Sequence, residues 1–230
     1  MRGERKTLND VKSNELISNI KYLLGTTSDL TISELIPFIG KALQTLKIHK
    51  LSRRLESFEG KINELQQKVV IIDDEKFTSF LKEFLFPLTL QNLLDEEEDK
   101  KTDLFLDGFD TVVDSKNDNE YDILMYYDIL RELRYKEIIH LITIGEPYIK
   151  YESVEIKNYA YAFSVEEKND IHFYIELKLA KLGLIKTPYQ SNLDFAEDGL
   201  IFNNLKRAEL TSFGEKFFNF YNIPEKYRNN

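Results

Sequence analysis

The chain has 230 residues, a formal net charge of -9 and no cysteine. Its residues are 42% apolar and 31% charged, a composition typical of one large folded domain or two small ones. The lack of cysteine excludes disulfide scaffolds, zinc–thiolate sites, iron–sulfur clusters and cysteine nucleophiles.

Charge is distributed unevenly along the chain. The net charge is +4 over residues 1–70, -12 over residues 71–149 and -1 over residues 150–230. This asymmetry is compatible with an anionic partner for the N-terminal third, although charged helix surfaces are its more common cause. The acidic balance argues against a protein coated with nucleic acid.

The first two thirds of the chain are predicted to be helical, because apolar residues recur there at spacings of three and four. Asn9-Asp10 is expected to cap the first helix and Gly25 to end it. Pro87 interrupts the helix that opens at Asp73. A solvated turn or helix start is expected at 95–101. The predicted helices span residues 11–24, 51–70, 73–90, 104–113, 120–133 and 135–144.

The C-terminal third has a different pattern. An aromatic and β-branched stretch begins at Tyr148, and a helix over 165–182 follows. Short strands are predicted at 184–186 and within 209–211, with a polar loop between them and a last helix over 212–221. We therefore predict a mainly α protein. An N-terminal helical domain, residues 1–147, precedes a small α+β domain, residues 148–230.

The ending of the chain resembles a winged helix-turn-helix domain. A helix leads into the sequence LGLI at 182–185, a variable loop follows, and LTSFG at 210–214 opens the last helix. Gly183 would supply a left-handed helix cap and Leu184 would be buried. Thr211 would cap the final helix, and Gly214 would allow that helix to pack closely on its neighbour.

A second resemblance covers roughly residues 30–222. The apolar sequence IPFIG at 36–40, the sequence LSRRLESF at 51–58, the acidic helices and the ending described above occur in the order found in bacterial Abi-alpha-type proteins of phage-defence loci. This resemblance implies an antiviral, abortive-infection protein. It also implies a phage protein as trigger, homo-oligomer formation on activation and a pore-forming action on the membrane.

The segment 30–49 is the candidate membrane element. Its apolar block is too short to span a bilayer alone, at about 9 residues where roughly 20 are needed. Without the resemblance, such an apolar block is more commonly a kinked helix in the core. The membrane-active residues would be Leu35, Ile36, Phe38, Ile39 and Leu43.

A group of cations lies within and after this block. They are candidates for contact with anionic headgroups or another anionic partner. Paired arginines more often meet acidic neighbours, and residues 95–99 would supply these. If the arginines pair with these acids, the acidic region 71–149 would hold the basic N-terminal segment in a resting state. The candidate cations are Lys41, Lys47, Lys50, Arg53 and Arg54.

No catalytic or nucleotide-binding motif stands out. The sequence lacks G-x-G-x-x-G, Walker A, H-E-x-x-H and G-x-S-x-G patterns. A calcium-loop-like run from Asp194 fails because Leu205, at its twelfth position, offers no ligand. We therefore predict a protein that is not an enzyme and has no cofactor and no metal. His140 is interpreted as a core or interface residue.

Two other functions stay open, a winged-helix DNA-binding regulator and a non-enzymatic adaptor that binds another protein. Phosphate contacts supply much of the affinity for DNA, so the near-neutral C-terminal module favours protein contact or dimerisation. The polar N-terminus and the lack of an apolar leader predict a cytoplasmic protein. The resemblance adds a move to the inner face of the membrane on activation.

Overall fold

A computed structural model describes residues 8–26, 41–145, 169–187 and 208–223. These residues are mostly helical and contain one two-stranded sheet, which confirms the predicted mainly α class. The chain divides into two compact units, residues 1–120 and residues 121–230.

The described residues of the first unit are almost entirely helical. The first helix already contains Asn9 and Asp10, so the prediction that they cap it is wrong. Gly25 follows the helix with a φ of 65°, a left-handed conformation that ends a helix as predicted. The elements are α1 (Leu8–Leu23), α2 (Lys41–Ser57), α3 (Glu59–Val70), α4 (Glu75–Phe80), a π turn (Leu81–Leu85), α5 (Phe86–Asp95), a 3₁₀ turn (Asp99–Lys101) and α6 (Thr102–Ser115).

Pro87 changes the helical geometry without stopping the helix. The helical run continues from Glu75 to Asp95, with the π turn Leu81–Leu85 directly before the first turn of α5. Proline has no backbone N–H, so it is tolerated in the first turn of a helix, where that group needs no intrahelical partner. The predicted interruption is therefore a local widening of the helix.

The core of the first unit lies between paired helices. α1 packs on α3, α2 packs on α5, and α3 packs on α6. The rings of Phe86 and Phe109 meet edge to face, with their centroids 5.7 Å apart. Both phenylalanines are almost fully buried, as are Leu55, Ile62 and Leu93. This packing holds the polar edges of α2 and α3 beside those of α5 and α6.

The second unit combines helices with a small hairpin. The described strands are antiparallel, with Ile185 opposite Leu210 and Lys186 opposite Glu209. Both strands lie where the sequence predicts them. The elements are α7 (Glu120–Glu132), α8 (Tyr135–Gly145), α9 (Asn169–Lys181), β1 (Ile185–Lys186), β2 (Glu209–Leu210) and α10 (Ser212–Phe220).

The division between the units lies at residue 120, whereas the sequence pattern predicts a boundary at residue 147. Aromatic packing explains the position of α7 in the second unit. The Tyr126 ring lies 5.8 Å from that of Phe213 and 4.5 Å from that of Phe220, measured between centroids. α8 in turn packs on β2. The helices α7 and α8 thus share a core with the C-terminal elements.

Candidate functional site

A regular series of ion pairs joins α2 and α3 to α5 and α6. Its cations are Lys47, Arg54, Lys61 and Lys68, which are spaced by seven residues. Seven residues are close to two helical turns, so this spacing keeps the cations on one side of a helical run. We call this series the ionic ladder. Its acidic partners are Asp95, Asp99, Asp103, Asp107, Asp110 and Asp114.

The partners follow each other in the same order along both helical runs. The Lys47 ammonium lies 3.1 Å from an Asp95 carboxylate oxygen. The Lys68 ammonium, at the other end, lies 2.9 Å from an oxygen of Asp114. Lys61 lies between them, 2.8 Å from an oxygen of Asp103. The two runs are therefore parallel, and the ladder extends along both of them.

Arg54 is the buried cation of the ionic ladder. Its side chain is 2% exposed, and its Nε and Nη2 atoms donate to Asp99 Oδ1 at 3.0 and 2.6 Å. Its Nη1 atom donates to the carbonyl oxygens of Leu93 and Glu96 at the end of α5. A guanidinium in this position satisfies carbonyls that have no intrahelical partner and complements the negative end of the helix dipole. Arg53, by contrast, is 67% exposed and reaches Asp99 from outside.

Glu96 is the centre of a second, smaller cluster beside Arg54. Its carbonyl oxygen accepts from Lys50 as well as Arg54, and its Oε2 lies 2.6 Å from the Lys101 ammonium. The Lys101 and Glu96 side chains are 1% and 6% exposed. A helical turn starts within the acidic run at Asp99, which is one of the two predicted alternatives, but the run is not fully solvated because Glu96 provides the carboxylate for a buried lysine. Burial and the adjacent charge of Arg54 lower the pKa of Lys50.

The ladder favours the ionised forms of Asp99, Lys61 and Lys68. Hydrogen bonds from Arg54 lower the pKa of the Asp99 carboxyl, and the opposing effect of partial burial is smaller. Burial acts to lower the pKa of Lys61, but the carboxylates of Asp107 and Asp103 outweigh it and raise the pKa. Asp99 and Lys61 are therefore both charged near neutral pH.

The predicted membrane and anion-binding residues fall into three groups. Leu35, Ile36, Phe38 and Ile39 lie outside the described residues. Lys41 and Leu43 lie in the first turn of α2, and their side chains lie outside the description. The other four cations contact carboxylates or carbonyls of residues 93–99, which confirms the pairing predicted for the arginines. These four are Lys47, Lys50, Arg53 and Arg54.

Several members of the two clusters are absent from the sequence predictions. Lys61 and Lys68 continue the ladder, and Lys101 and Glu96 form the buried pair. The spacing of seven from Lys47 to Lys68 is a signal that could have identified the ladder cations. Nothing in the sequence distinguishes Glu96 from the neighbouring acids, because its burial depends on where α5 ends.

The four residues predicted to shape the C-terminal hairpin have the expected local geometry. Gly183 has a φ of 74°, directly after α9, and Leu184 is fully buried. The Thr211 hydroxyl accepts from the Gly214 N–H at 2.8 Å and caps α10. Gly214 packs against the backbone of Leu184 so closely that a side chain has no space. The local structural predictions for all four are confirmed.

The outward side of α9 is apolar. Ile171, Tyr174 and Leu177 are 61%, 65% and 42% exposed, while Ile175 and Leu179 anchor the opposite side in the core. Exposed large apolar side chains in a cluster are a feature of protein contact surfaces. The helix that precedes the hairpin therefore presents a surface suited to protein contact.

His140 is a buried residue between α8 and α9, as predicted. Its ring lies 4.9 Å from that of His172, and its Nε2 lies 3.6 Å from a Glu176 oxygen. No group of three or more metal-ligating side chains that could hold a metal ion occurs within the described ranges. The site described here is thus a set of ion pairs and an apolar surface.

The fold and these sites define a mainly helical protein with an internal ionic ladder and a small hairpin unit. No family model matches the chain, and neither a curated protein nor a solved structure matches it. None of the helices in the described part of the chain is both long and apolar enough to cross a membrane.

Proposed function

We propose that this chain is a non-enzymatic antiphage defence protein of the abortive-infection type. In this proposal it senses a phage component, forms a homo-oligomer and perturbs the membrane as a pore-forming effector. The observation that supports it is the ionic ladder, because its carboxylates occupy the basic residues that follow the apolar segment 35–43. The described arrangement would be the resting form.

The ladder supports this proposal through competition for the same cations. Carboxylates and anionic lipid headgroups bind lysine and arginine by the same charge-assisted hydrogen bonds. α2 carries Lys47 and Arg54 and begins at the end of the apolar segment. Separation of α2 from α5 would therefore free these cations for headgroups, next in sequence to the apolar segment. A phage component that binds the acidic helices would favour that separation.

The finer part of the fold proposal concerns the second unit. We propose that α9, β1, β2 and α10 form a winged-helix-like module that contacts protein. The order of these elements and the glycine and threonine geometry support it. The Lys178 ammonium pairs with Glu137 of α8 at 2.7 Å and donates to the Glu132 carbonyl of α7, so it is already held by other helices of the second unit. The apolar surface of α9 favours a protein partner over DNA.

The first test is dye release from liposomes that contain anionic lipid. We expect the purified protein to release dye when phage lysate or phage structural proteins are added, and to release little alone. The double variant Ile36→Asp with Ile39→Asp is expected to abolish triggered release, because it places charges in the apolar segment. Retained release by this variant, shown by circular dichroism to be folded, would remove the membrane role of 35–43.

The end of the ladder nearest to the apolar segment is expected to set the threshold for triggering. Asp95→Asn removes the partner of Lys47, an exposed pair, and is expected to lower the trigger concentration for half-maximal release about two- to fivefold. Asp114→Asn is the matched control, since it removes one carboxylate from the far end. Equal effects of both variants would show that net charge, and not release of α2, controls the response.

A protein-binding adaptor is the second candidate, and the exposed surface of α9 favours it. Absence of dye release with every trigger, for a protein shown to be folded, would make this the preferred function. A DNA-binding regulator would instead bind duplex DNA with a steep dependence on salt. Lack of binding at low salt would exclude that alternative.

A further inference from the structure

A cavity of about 240 Å³ lies between α1 and α3 in the first unit. Glu15 and Asn19 line it from α1, and Glu59, Gly60 and Asn63 line it from α3. In each helix the glutamate and the asparagine are four residues apart, which places both on one side of the helix. The same two types of side chain therefore reach the cavity from both helices.

The two carboxylates of this cavity lack a counter-charge from the protein itself. Glu15 is exposed and Glu59 is partly buried. Among the side chains that the structure describes, no lysine, arginine or histidine forms an ion pair with either carboxylate. Each carboxylate of the ionic ladder, by contrast, meets a lysine or an arginine. Two like charges that line one cavity repel each other, so a bound cation is favoured there.

A buried amide in the same cavity calls for a hydrogen-bond donor. Asn19 is 8% exposed, and its Nδ2 atom donates to Asn63 Oδ1 over a long distance of 3.4 Å. Its own Oδ1 atom accepts no hydrogen bond from the described part of the chain. A buried carbonyl oxygen without a donor is unfavourable. A water molecule supplies such a donor but leaves both carboxylates without a counter-charge, whereas a cation with N–H groups supplies both.

We propose that this cavity binds a guanidinium group. A guanidinium carries one delocalised positive charge and five N–H donors, and it has no acceptor. It therefore complements two carboxylates and an amide oxygen together, whereas an ammonium offers three donors from a single atom. The cavity is smaller than the roughly 300–1,000 Å³ that hold drug-sized ligands, so it suits one side chain or one small ion. The group would come from an arginine of a protein partner or from a small guanidino compound.

The first experiment titrates the purified full chain, labelled with ¹⁵N, with methylguanidinium and follows it by two-dimensional NMR. We expect the side-chain amide signals of Asn19 and Asn63 to shift with a dissociation constant of about 1 mM, as suits a ligand of so few atoms. The lining residues are distinct from the ionic ladder, and neither liposomes nor phage material is present, so the result is independent of the proposed function. Unchanged amide signals up to about 50 mM would overturn the inference.

Methylammonium and Ca²⁺ test the class of cation. We expect methylammonium to bind at least about fivefold more weakly, because it lacks the planar set of donors. Equal binding of the two organic cations would show that the cavity responds to charge alone. Tighter binding of Ca²⁺ than of methylguanidinium would identify a metal site. Either result would contradict the guanidinium assignment.

A short peptide with blocked ends and one central arginine distinguishes the two sources of the group. Binding about tenfold tighter than that of methylguanidinium would support an arginine of a protein partner, since contacts beside the cavity add affinity. Equal or weaker binding would support a small guanidino compound. The same peptide with lysine in place of arginine is the control. A lysine peptide that binds as well as the arginine peptide would contradict the proposal.

Removal of one carboxylate tests the residues. Glu59→Gln is expected to raise the dissociation constant of methylguanidinium at least about fivefold, because the amide keeps the shape of the side chain and loses its charge. Glu64→Gln is the matched control, since Glu64 is an exposed residue of α3 that does not line the cavity. It is expected to leave the dissociation constant unchanged. Equal weakening by both variants would show that the net charge of α3 controls binding, and would contradict the site.

Gly60→Leu tests the cavity itself, because it fills space and leaves every charge in place. A Cβ atom at Gly60 meets no other atom within 4 Å, and leucine favours a helix over glycine, so the variant is expected to fold. We expect it to raise the dissociation constant at least about tenfold by occupying the cavity. A Gly60→Leu chain, shown by circular dichroism to be folded, that binds methylguanidinium like wild type would overturn the inference.

Discussion

Arg54→Ala is expected to lower the free energy of unfolding of the first unit by about 1–3 kcal/mol, because it leaves a buried carbonyl unsatisfied. The guanidinium is 2% exposed and makes bonds to one carboxylate and to two carbonyls at the end of α5. Alanine removes all of these and leaves the Leu93 carbonyl without its cationic donor, whereas the Glu96 carbonyl keeps the hydrogen bond from Lys50. A loss of this size is a large part of the stability of an ordinary domain. Urea denaturation followed by circular dichroism measures it.

Arg53→Ala is the control for this prediction, because it removes the same charge from the adjacent position. Arg53 is 67% exposed and contacts the same Asp99, so we expect a loss of at most about 1 kcal/mol. Arg54→Lys keeps the charge but cannot reproduce the several hydrogen bonds of the guanidinium. Its loss of unfolding free energy should lie between those of Arg53→Ala and Arg54→Ala. Similar losses for Arg53→Ala and Arg54→Ala would show that net charge matters more than the buried geometry.

The local sequence patterns predicted the helices well where the spacing of apolar residues was regular. The core of α3 is an example, since Ile62, Leu65 and Val69 are all buried. The cap at the start of the chain was predicted wrongly because Asn and Asp also occur inside helices, and no local signal separates the two cases. Pro87 was predicted to interrupt a helix that instead continues through a π turn.

The ladder could be predicted only in part. The arginines and the acidic run are visible as charge clusters, and their pairing follows from opposite sign. Which acid meets which cation depends on how α2 packs on α5 and α3 packs on α6, which is tertiary information. The same applies to Lys101, a buried lysine whose sequence surroundings look fully solvated.

The boundary between the two units also depends on tertiary contacts that the local sequence does not reveal. The residue pattern changes at Tyr148, where aromatic and β-branched residues replace the regular helical spacing of apolar residues. The position of α7 and α8 depends instead on long-range contacts, such as those of Tyr126 with Phe217 and Phe220. A change of pattern along a chain marks a change of secondary structure, and does not by itself mark the edge of a core.

Gly214→Ala is expected to lower the free energy of unfolding of the second unit by about 1–3 kcal/mol, or more if the backbone cannot move. A Cβ atom there would overlap the Leu184 carbonyl oxygen and lie 3.0 Å from its carbonyl carbon. The obstacle is backbone, so a change of side-chain rotamer cannot relieve it. The substitution would push α10 away from Leu184 and strain the Thr211 cap. Thermal unfolding followed by circular dichroism measures the loss.

Gly60→Ala serves as the control, because it is expected to raise the free energy of unfolding. Gly60 lies in α3, and a Cβ atom there would meet no other atom within 4 Å. Alanine favours the helix over glycine, so stability should rise by about 0.5–1 kcal/mol. The two variants add the same methyl group to a helix and differ only in what surrounds it. A Gly214→Ala chain as stable as wild type would therefore show that α10 does not need its close contact with Leu184.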